Sequence, residues 1–130
     1  MPSKYKQLNI SGVELKEAPD AMEFMLNHGL MVVPLLSGGG IRVKIIEALS
    51  LGKIVLTTSC GVEGIPAEHG KHLFVCNQPA DFVEVMRRLQ DNPALANEVS
   101  ENAITFARNH FDQEVLTNRL ISFYQTLISA

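Results

Sequence analysis

The sequence has no tryptophan and only two cysteines, Cys60 and Cys76, among its 130 residues. So few cysteines exclude a disulfide-rich scaffold, and two reduced, buried thiols in a cytosolic protein are the expected state. No Cys-x-x-Cys or His-x-x-x-His spacing occurs, so the sequence predicts no structural metal site. The chain must therefore be stabilised by a hydrophobic core, for which its length is sufficient.

Long apolar runs and an excess of positive charge are also missing. The net charge of −3 excludes a broad basic face for nucleic acid, although it leaves room for a local cationic site. No apolar run reaches the roughly 18 residues of a membrane span, and the opening stretch, MPSKYKQLNI, has no apolar signal core. With 46% apolar and 19% charged residues, the composition predicts a globular cytoplasmic domain.

Strand and helix patterns alternate along the chain, as is typical of a parallel sheet with right-handed crossovers. Short β-branched or apolar runs predict strands at 7–10, 30–36, 53–57 and 72–76. Helical spacing predicts helices at 19–29 and 41–51, and further helices that open near residues 79, 93 and 112. The sequence thus predicts one α/β domain over residues 1–130, with a Rossmann-like parallel sheet of about four strands flanked by helices.

The apolar run at 30–36 is the candidate for the most buried strand, because it is continuous and bounded by Gly29 and Ser37. Pro34 cannot donate to a sheet ladder, so regular pairing should stop near it. Open parallel sheets bind ligands at the carboxyl ends of their strands. We therefore expect a ligand at the loop that follows this strand, residues 37–40.

That loop and the helix after it combine glycines, cations and a carboxylate in the sequence SGGGIRVKIIE. Glycines let the backbone approach a ligand closely, and the amino end of a helix attracts phosphate. Two cations in the first helical turn add charge, and a carboxylate one turn on can accept hydrogen bonds from a vicinal diol such as ribose. The candidate ligand-binding residues are Gly38, Gly39, Gly40, Arg42, Lys44 and Glu47.

The same stretch also allows a plainer interpretation. The glycines would then form an ordinary turn, and Lys44 and Glu47 an i,i+3 ion pair worth about 0.2–0.5 kcal/mol. The loop is not a P-loop, since no Gly-Lys-Ser/Thr follows, and a dinucleotide fingerprint would need a glycine at Val43. Two cations and an acid directly after an apolar strand favour the binding interpretation.

The segment PLLSGGGIRVKIIEALSLGKIVLTT at 34–58, with GVEGI at 61–65, resembles the C-terminal, donor-binding domain of retaining glycosyltransferases of the GT-B fold. The resemblance is to the large group 1 family (family 4-like) that builds bacterial polysaccharides. It extends over about residues 7–129 and is specific mainly over 31–65. It implies that the chain is part of a GT-B C-terminal domain, in agreement with the predicted alternation of strands and helices.

The resemblance implies a function as well. The chain would bind a nucleotide-diphosphate sugar, without a metal cofactor, for transfer of a hexose-like unit to a glycan or a lipid-linked acceptor. Glu47 would bind the ribose, the three glycines would approach the sugar and phosphates, and Arg42 and Lys44 would lie near the diphosphate. Glu63, in the loop after the next strand, would border the same pocket, although an exposed loop carboxylate accounts for it equally well. No catalytic residue is identified.

The sequence departs from the family pattern in two respects. The earlier family glutamate, eight positions before Glu47, is replaced by Gly39, so the usual carboxylate contact to the transferred sugar has no counterpart. The chain is also too short for both domains of a complete enzyme. We therefore expect its partner to be a missing N-terminal acceptor domain with the family's usual catalytic histidine, and we expect the isolated chain to be inactive. A complete enzyme would be cytoplasmic or peripheral at the inner face of the membrane.

Two other functions remain open from the sequence. A flavodoxin-like or receiver-like module would be non-catalytic and would bind partners through its helices. A receiver should carry clustered aspartates where its first strand ends, and this one ends in Ser11 and Gly12. A dinucleotide-dependent enzyme is the third alternative, which Val43 disfavours.

Two further features bear on ligands and partners. Thr57 and Thr58 close a strand on the ligand side, where their hydroxyls can donate to a phosphate or a base, although such residues more often only end the strand. The last helix has an apolar stripe that predicts core packing, or self-association into a homodimer where part of it is uncovered. The stripe consists of Leu116, Leu120, Phe123 and Leu127.

Overall fold

A computed structural model describes residues 10–38 and 42–129 of the chain. The elements are α1 (Ala21–Leu26), β1 (Leu30–Val33), α2 (Val43–Ser50), β2 (Ile54–Thr57), β3 (Phe74–Val75), α3 (Pro79–Asp91), α4 (Pro93–Phe111) and α5 (Gln113–Ser129). Helices and strands alternate up to β2, β3 follows it without an intervening helix, and three helices come last.

The strands form a parallel sheet in the order β1-β2-β3. Leu30 of β1 pairs with Ile54 of β2, and Leu56 of β2 pairs with Phe74 of β3. The predicted α/β, Rossmann-like class with helices around a parallel sheet is thus confirmed. The described residues contain three strands rather than about four. The predicted strand at 7–10 lies outside them except for its last residue, which is not in a strand.

The most buried strand is β2, and the prediction that it would be the run at 30–36 is wrong. All four residues of β2 are buried, whereas Val32 of β1 is 40% exposed. The reason is sheet order, because among the described residues β1 has a neighbour on one side only. The strand does end at Val33, directly before Pro34, whose missing N–H stops the ladder.

The core has two parts, one on each face of β2. Val55 belongs to the cluster that includes Ile45 of α2 and Phe106 of α4. Ile54 and Leu56, its neighbours along the strand, belong to the cluster formed with α3 and the first half of α4. This alternation is the period of two that a strand covered on both faces requires. The strand β2 therefore anchors the sheet between its helix layers.

Gly52 ends α2 and lies against α4. Its φ of 71° is a left-handed conformation that glycine adopts at low cost. Its carbonyl oxygen accepts a 2.7 Å hydrogen bond from Oγ of Ser100, and a Cβ at this position would lie 2.8 Å from Cδ1 of Ile104. Glycine is therefore needed here both for the turn and for the close packing of α4.

Replacing Gly52 by alanine should lower the free energy of unfolding by about 2 kcal/mol or more. The left-handed conformation alone costs an L-residue about 1–2 kcal/mol, and the contact with Ile104 adds to it. Urea denaturation followed by circular dichroism measures the change. Gly29→Ala is the matched control, since nothing lies within 4 Å of a Cβ placed there. Equal losses in the two variants would contradict this account.

The last helix, α5, contributes no buried residue, so the expectation of core packing for its stripe is wrong. Its large apolar side chains at 116, 120, 121, 123, 124, 127 and 128 are 45–84% exposed. Near its start, Nη1 of Arg119 donates a 3.3 Å hydrogen bond to the carbonyl of His110 in α4. An amphipathic pattern predicts the helix but does not say what covers its apolar face. None of the described helices is both long and apolar enough to cross a membrane.

Candidate functional site

Three loops meet at the carboxyl edge of the sheet, one after each strand. Oγ1 of Thr57 donates a 2.8 Å hydrogen bond to the carbonyl of Val33, and Oγ1 of Thr58 donates to the carbonyl of Leu35. On the other side of β2, the N–H of Cys76 donates to the carbonyl of Thr57 at 2.6 Å. The end of β2 and the loop after it are therefore tied to the chain on both sides.

The Arg42 side chain packs against Gly38 at this edge. Its Nη2 is 3.9 Å from Sγ of Cys60, and that sulfur is 3.9 Å from the carbonyl oxygen of Gly38. Gly38 has a φ of 130°, and a Cβ there would collide with the Arg42 guanidinium. Position 38 favours glycine because of this φ, which L side chains rarely adopt, and the absence of a side chain lets the guanidinium pack directly against the backbone. An arginine at a strand end presents a planar set of N–H donors suited to phosphate.

Lys44 and Glu47 form the i,i+3 ion pair that the plainer interpretation expected. Nζ of Lys44 is 3.1 Å from Oε2 of Glu47, and the two side chains are 60% and 31% exposed. Glu47 borders a groove of about 380 Å³ between α2 and the junction of α4 with α5. Lys44 borders an apolar cleft of about 430 Å³ beside β1, together with Phe24 and Val32. An exposed pair contributes little to stability, so a ligand can compete for either side chain.

The other predicted residues fall outside these two groups. Glu63 is exposed in the turns after β2. Gly39 and Gly40 lie outside the described residues. The structure thus brings Gly38 and Arg42 together at the edge of the sheet, and it pairs Lys44 with Glu47 along the helix that follows.

Sequence reasoning missed three residues at this edge, Ser59, Cys60 and Asn77. The N–H of Ser59 donates to Oδ1 of Asn77 at 2.9 Å, and Nδ2 of Asn77 donates to Oγ of Ser59 at 2.8 Å. Cys60, which we expected to be buried, is only half-buried and lies beside Arg42. Cys76 is buried, and burial raises the pKa of its thiol. Their position in the sequence could have indicated them, since all three residues come soon after the carboxyl end of a strand.

His69 and His72 are held by the backbone. Nδ1 of His69 accepts a 2.8 Å hydrogen bond from the N–H of Val75, and Nδ1 of His72 accepts one of 3.0 Å from the N–H of Glu68. Burial, with a smaller effect of Lys71, lowers the pKa of His72. In the part of the chain that the structure describes, no three His, Cys, Asp or Glu side chains are grouped to hold a metal ion. The absence of a metal cofactor stays a prediction.

The geometry defines a class of protein before any relative is considered. A parallel sheet with a glycine-rich loop and a cation at its carboxyl edge is typical of Rossmann-like ligand-binding domains. The solved structure of HepE from Anabaena, in complex with UDP, has the same fold. The similarity covers 87% of this chain and 31% of that one, with a TM-score of 0.71 and 22% sequence identity.

The sequence comparisons identify the family. The family model for glycosyl transferases group 1 matches residues 2–92, and the chain belongs to this family. An uncharacterized 44.6 kDa protein in the cps region of Klebsiella pneumoniae is 27% identical over 85 residues. That match covers 65% of this chain and 22% of the relative. The chain therefore spans less than a third of the length of either protein.

Proposed function

We propose that the chain is the nucleotide-sugar-binding half of a retaining group 1 glycosyltransferase. The complete enzyme would transfer a hexose-like unit from a nucleotide-diphosphate sugar to a glycan or a lipid-linked acceptor. The observation that carries the proposal is the Arg42 guanidinium packed against Gly38 at the carboxyl edge of the sheet, in a chain of this family. The UDP bound to HepE supports a nucleotide ligand, and the cps region of the Klebsiella relative supports a role in polysaccharide synthesis.

In this proposal the diphosphate lies between Arg42 and the amino end of α2. Among the described residues no side chain caps that end of the helix, and its first turn holds no acidic residue. The N–H groups and the positive end of the helix dipole therefore favour an anion there. Glycosyl transfer leaves negative charge on the diphosphate, and a fixed guanidinium stabilises that charge as the bond to the sugar breaks.

Glu47 binds the ribose in the same proposal. Lys44 contacts its Oε2, which leaves Oε1 to accept a hydrogen bond from a ribose hydroxyl. Lys44 would contribute its charge to the diphosphate, and Glu63 would border the pocket from the loop after β2. The acceptor domain and the catalytic group would come from the rest of the enzyme, so the isolated chain should show no transfer. The complete enzyme would be cytoplasmic or peripheral at the inner face of the membrane.

A thermal-shift panel of nucleoside diphosphates and the matching nucleosides tests the function. A ligand that binds only the folded state, at a hundred times its Kd, stabilises the chain by about 2.7 kcal/mol. We expect at least one nucleoside diphosphate to raise the melting temperature, and its nucleoside to do so much less. No response to any member of the panel would favour the alternative, a flavodoxin-like or receiver-like interaction module.

We also propose that the uncovered stripe of α5 packs against the acceptor domain in the complete enzyme and drives homodimerisation of the isolated chain. Light scattering after gel filtration should then give twice the monomer mass. The double substitution Leu120→Glu and Phe123→Glu should restore the monomer, because it places charge in the apolar face. Val83→Glu, at an exposed apolar position of α3, is the matched control and should leave the dimer intact. A wild-type monomer at all concentrations would contradict the prediction.

A further inference from the structure

Three consecutive hydroxyl side chains, Thr57, Thr58 and Ser59, stand where β2 ends. A hydroxyl has a single proton to donate. Thr57 donates its proton to the carbonyl of Val33, and Thr58 donates its proton to the carbonyl of Leu35. Both threonines are also buried. The interpretation that these two hydroxyls donate to a ligand is therefore excluded by the bonds that they already make.

Ser59 is the hydroxyl that differs. Its Oγ accepts a 2.8 Å hydrogen bond from Nδ2 of Asn77, and among the described residues no acceptor takes its proton. The orientation of the Asn77 amide follows from chemistry, because the N–H of Ser59, 2.9 Å away, needs an oxygen as its partner. The exposed Ser59 hydroxyl therefore has one lone pair occupied and its proton available for a ligand.

Asn77 is itself fixed at the start of α3. Its N–H donates to Oδ2 of Asp81 at 3.3 Å, and the N–H of Gln78 donates to the same oxygen at 3.0 Å. The bond from Gln78 is one half of the capping box in the first turn of α3, and the bond from Asn77 ties the preceding residue to the same carboxylate. The position of the Ser59 hydroxyl is thus determined through Asn77 by a helix, and not by the loop alone.

Ser59 adjoins the residue that contacts the cation of the proposed site. Ser59 directly precedes Cys60, whose sulfur is 3.9 Å from Nη2 of Arg42. Consecutive Cα atoms are only about 3.8 Å apart. The loop that contacts Arg42 at this edge therefore also carries an exposed hydroxyl, one residue before the contact.

We propose that Ser59 also binds the nucleotide sugar, because its hydroxyl donates a hydrogen bond to an oxygen of the diphosphate. Asn77 is then a positioning residue for this hydroxyl. This inference rests on the proposed function. It adds an uncharged hydrogen-bond donor, the hydroxyl of Ser59 in the loop after β2, to the Arg42 cation that precedes α2. The diphosphate would then be held from two loops of the same sheet edge.

The test is calorimetric titration of the 130-residue chain with UDP, GDP and ADP and with uridine, guanosine and adenosine. Ser59→Ala should weaken binding of the preferred nucleoside diphosphate about tenfold and leave nucleoside binding unchanged, because a hydrogen bond to a charged group is lost. Ser59→Thr keeps the hydroxyl and should restore most of the affinity. Thr117→Ala, at an exposed hydroxyl of α5, is the matched control and should bind like wild type.

The substitution Asn77→Asp tests whether Asn77 orients the Ser59 hydroxyl or only stabilises the loop after β2. It keeps an oxygen for the N–H of Ser59, but its second oxygen accepts the Ser59 proton that the diphosphate would take. The new carboxylate also repels the diphosphate, so affinity should fall further than in Ser59→Ala while the melting temperature stays near that of wild type. Asn77→Asp in the Ser59→Ala background measures the repulsion alone, and the additional loss in the wild-type background is the part that acts through the Ser59 hydroxyl.

The outcomes distinguish the two proposals. If wild type binds none of the nucleoside diphosphates, the proposed function fails, and this inference with it. If wild type binds one and Arg42→Ala weakens it, but Ser59→Ala stays within twofold of wild type, the function stands and the role of Ser59 is overturned. An equal loss of nucleoside and nucleoside diphosphate affinity in Ser59→Ala would also overturn it, since the hydroxyl would then not act on the phosphates.

Discussion

Replacing Arg42 by alanine should lower the affinity of the chain for its nucleoside diphosphate by about 100-fold. A hydrogen bond to a charged group contributes about 1.5–3 kcal/mol, and a guanidinium can make two of them to one phosphate. The side chain packs against Gly38, so its geometry is set before the ligand arrives and little entropy is lost on binding. Isothermal titration calorimetry measures the change.

One variant separates the geometry of Arg42 from its charge, and a second variant is the control. Arg42→Lys keeps the charge but not the planar pair of donors, so its affinity should lie between wild type and Arg42→Ala. Arg88→Ala removes a cation from an exposed position of α3 and should bind as wild type does. If Arg42→Ala and Arg88→Ala bound equally well, the diphosphate would not lie at this edge of the sheet.

Replacing Glu47 by alanine should weaken binding at least tenfold and also remove the preference for ribose. In wild type, a 2′-deoxyribonucleoside diphosphate should bind more weakly than its ribose counterpart, because it lacks a hydroxyl that would donate to Glu47 in the proposed site. In Glu47→Ala the two ligands should bind alike. Titrating both proteins with both ligands gives the coupling between the carboxylate and the hydroxyl directly.

The ion pair with Lys44 provides the control for this experiment. Lys44→Gln removes the 3.1 Å contact to Oε2 of Glu47 but leaves the carboxylate in place. It should weaken diphosphate binding while the preference for ribose persists. If Lys44→Gln abolished the preference as completely as Glu47→Ala, the carboxylate would act by orienting the lysine and not by binding the sugar.

The helices could be predicted from the sequence because the signals that start them are local. Asp20 accepts hydrogen bonds from the N–H groups of Met22 and Glu23, as an N-cap does. Pro79 and Pro93 occupy the first turns of α3 and α4, where their missing N–H costs nothing. The signal that ends β1 is equally local, because it is a single proline, Pro34. These features need only a few neighbouring residues to be recognised.

The features that were missed depend on residues far apart in the chain. The burial of β1 depends on which strands flank it, which a continuous apolar run does not encode. The Ser59–Asn77 pair joins residues 18 positions apart, and the bond from Thr58 to Leu35 spans 23. The candidate pair Gly38 and Arg42 was predictable, since glycines and a cation after a strand form a local pattern. The sequence did not predict which of the three hydroxyls at the end of β2 has its proton available for a ligand.

The difference between the two thiols has a practical consequence. The thiolate is the reactive form of cysteine, and Cys76 is sealed in the core with a raised pKa. Cys60 is accessible in part. A maleimide fluorophore should therefore attach at a single position of the unaltered chain. If the diphosphate binds beside Arg42 as proposed, a label on Cys60, whose sulfur is 3.9 Å from Nη2 of that arginine, should change its emission when nucleotide binds.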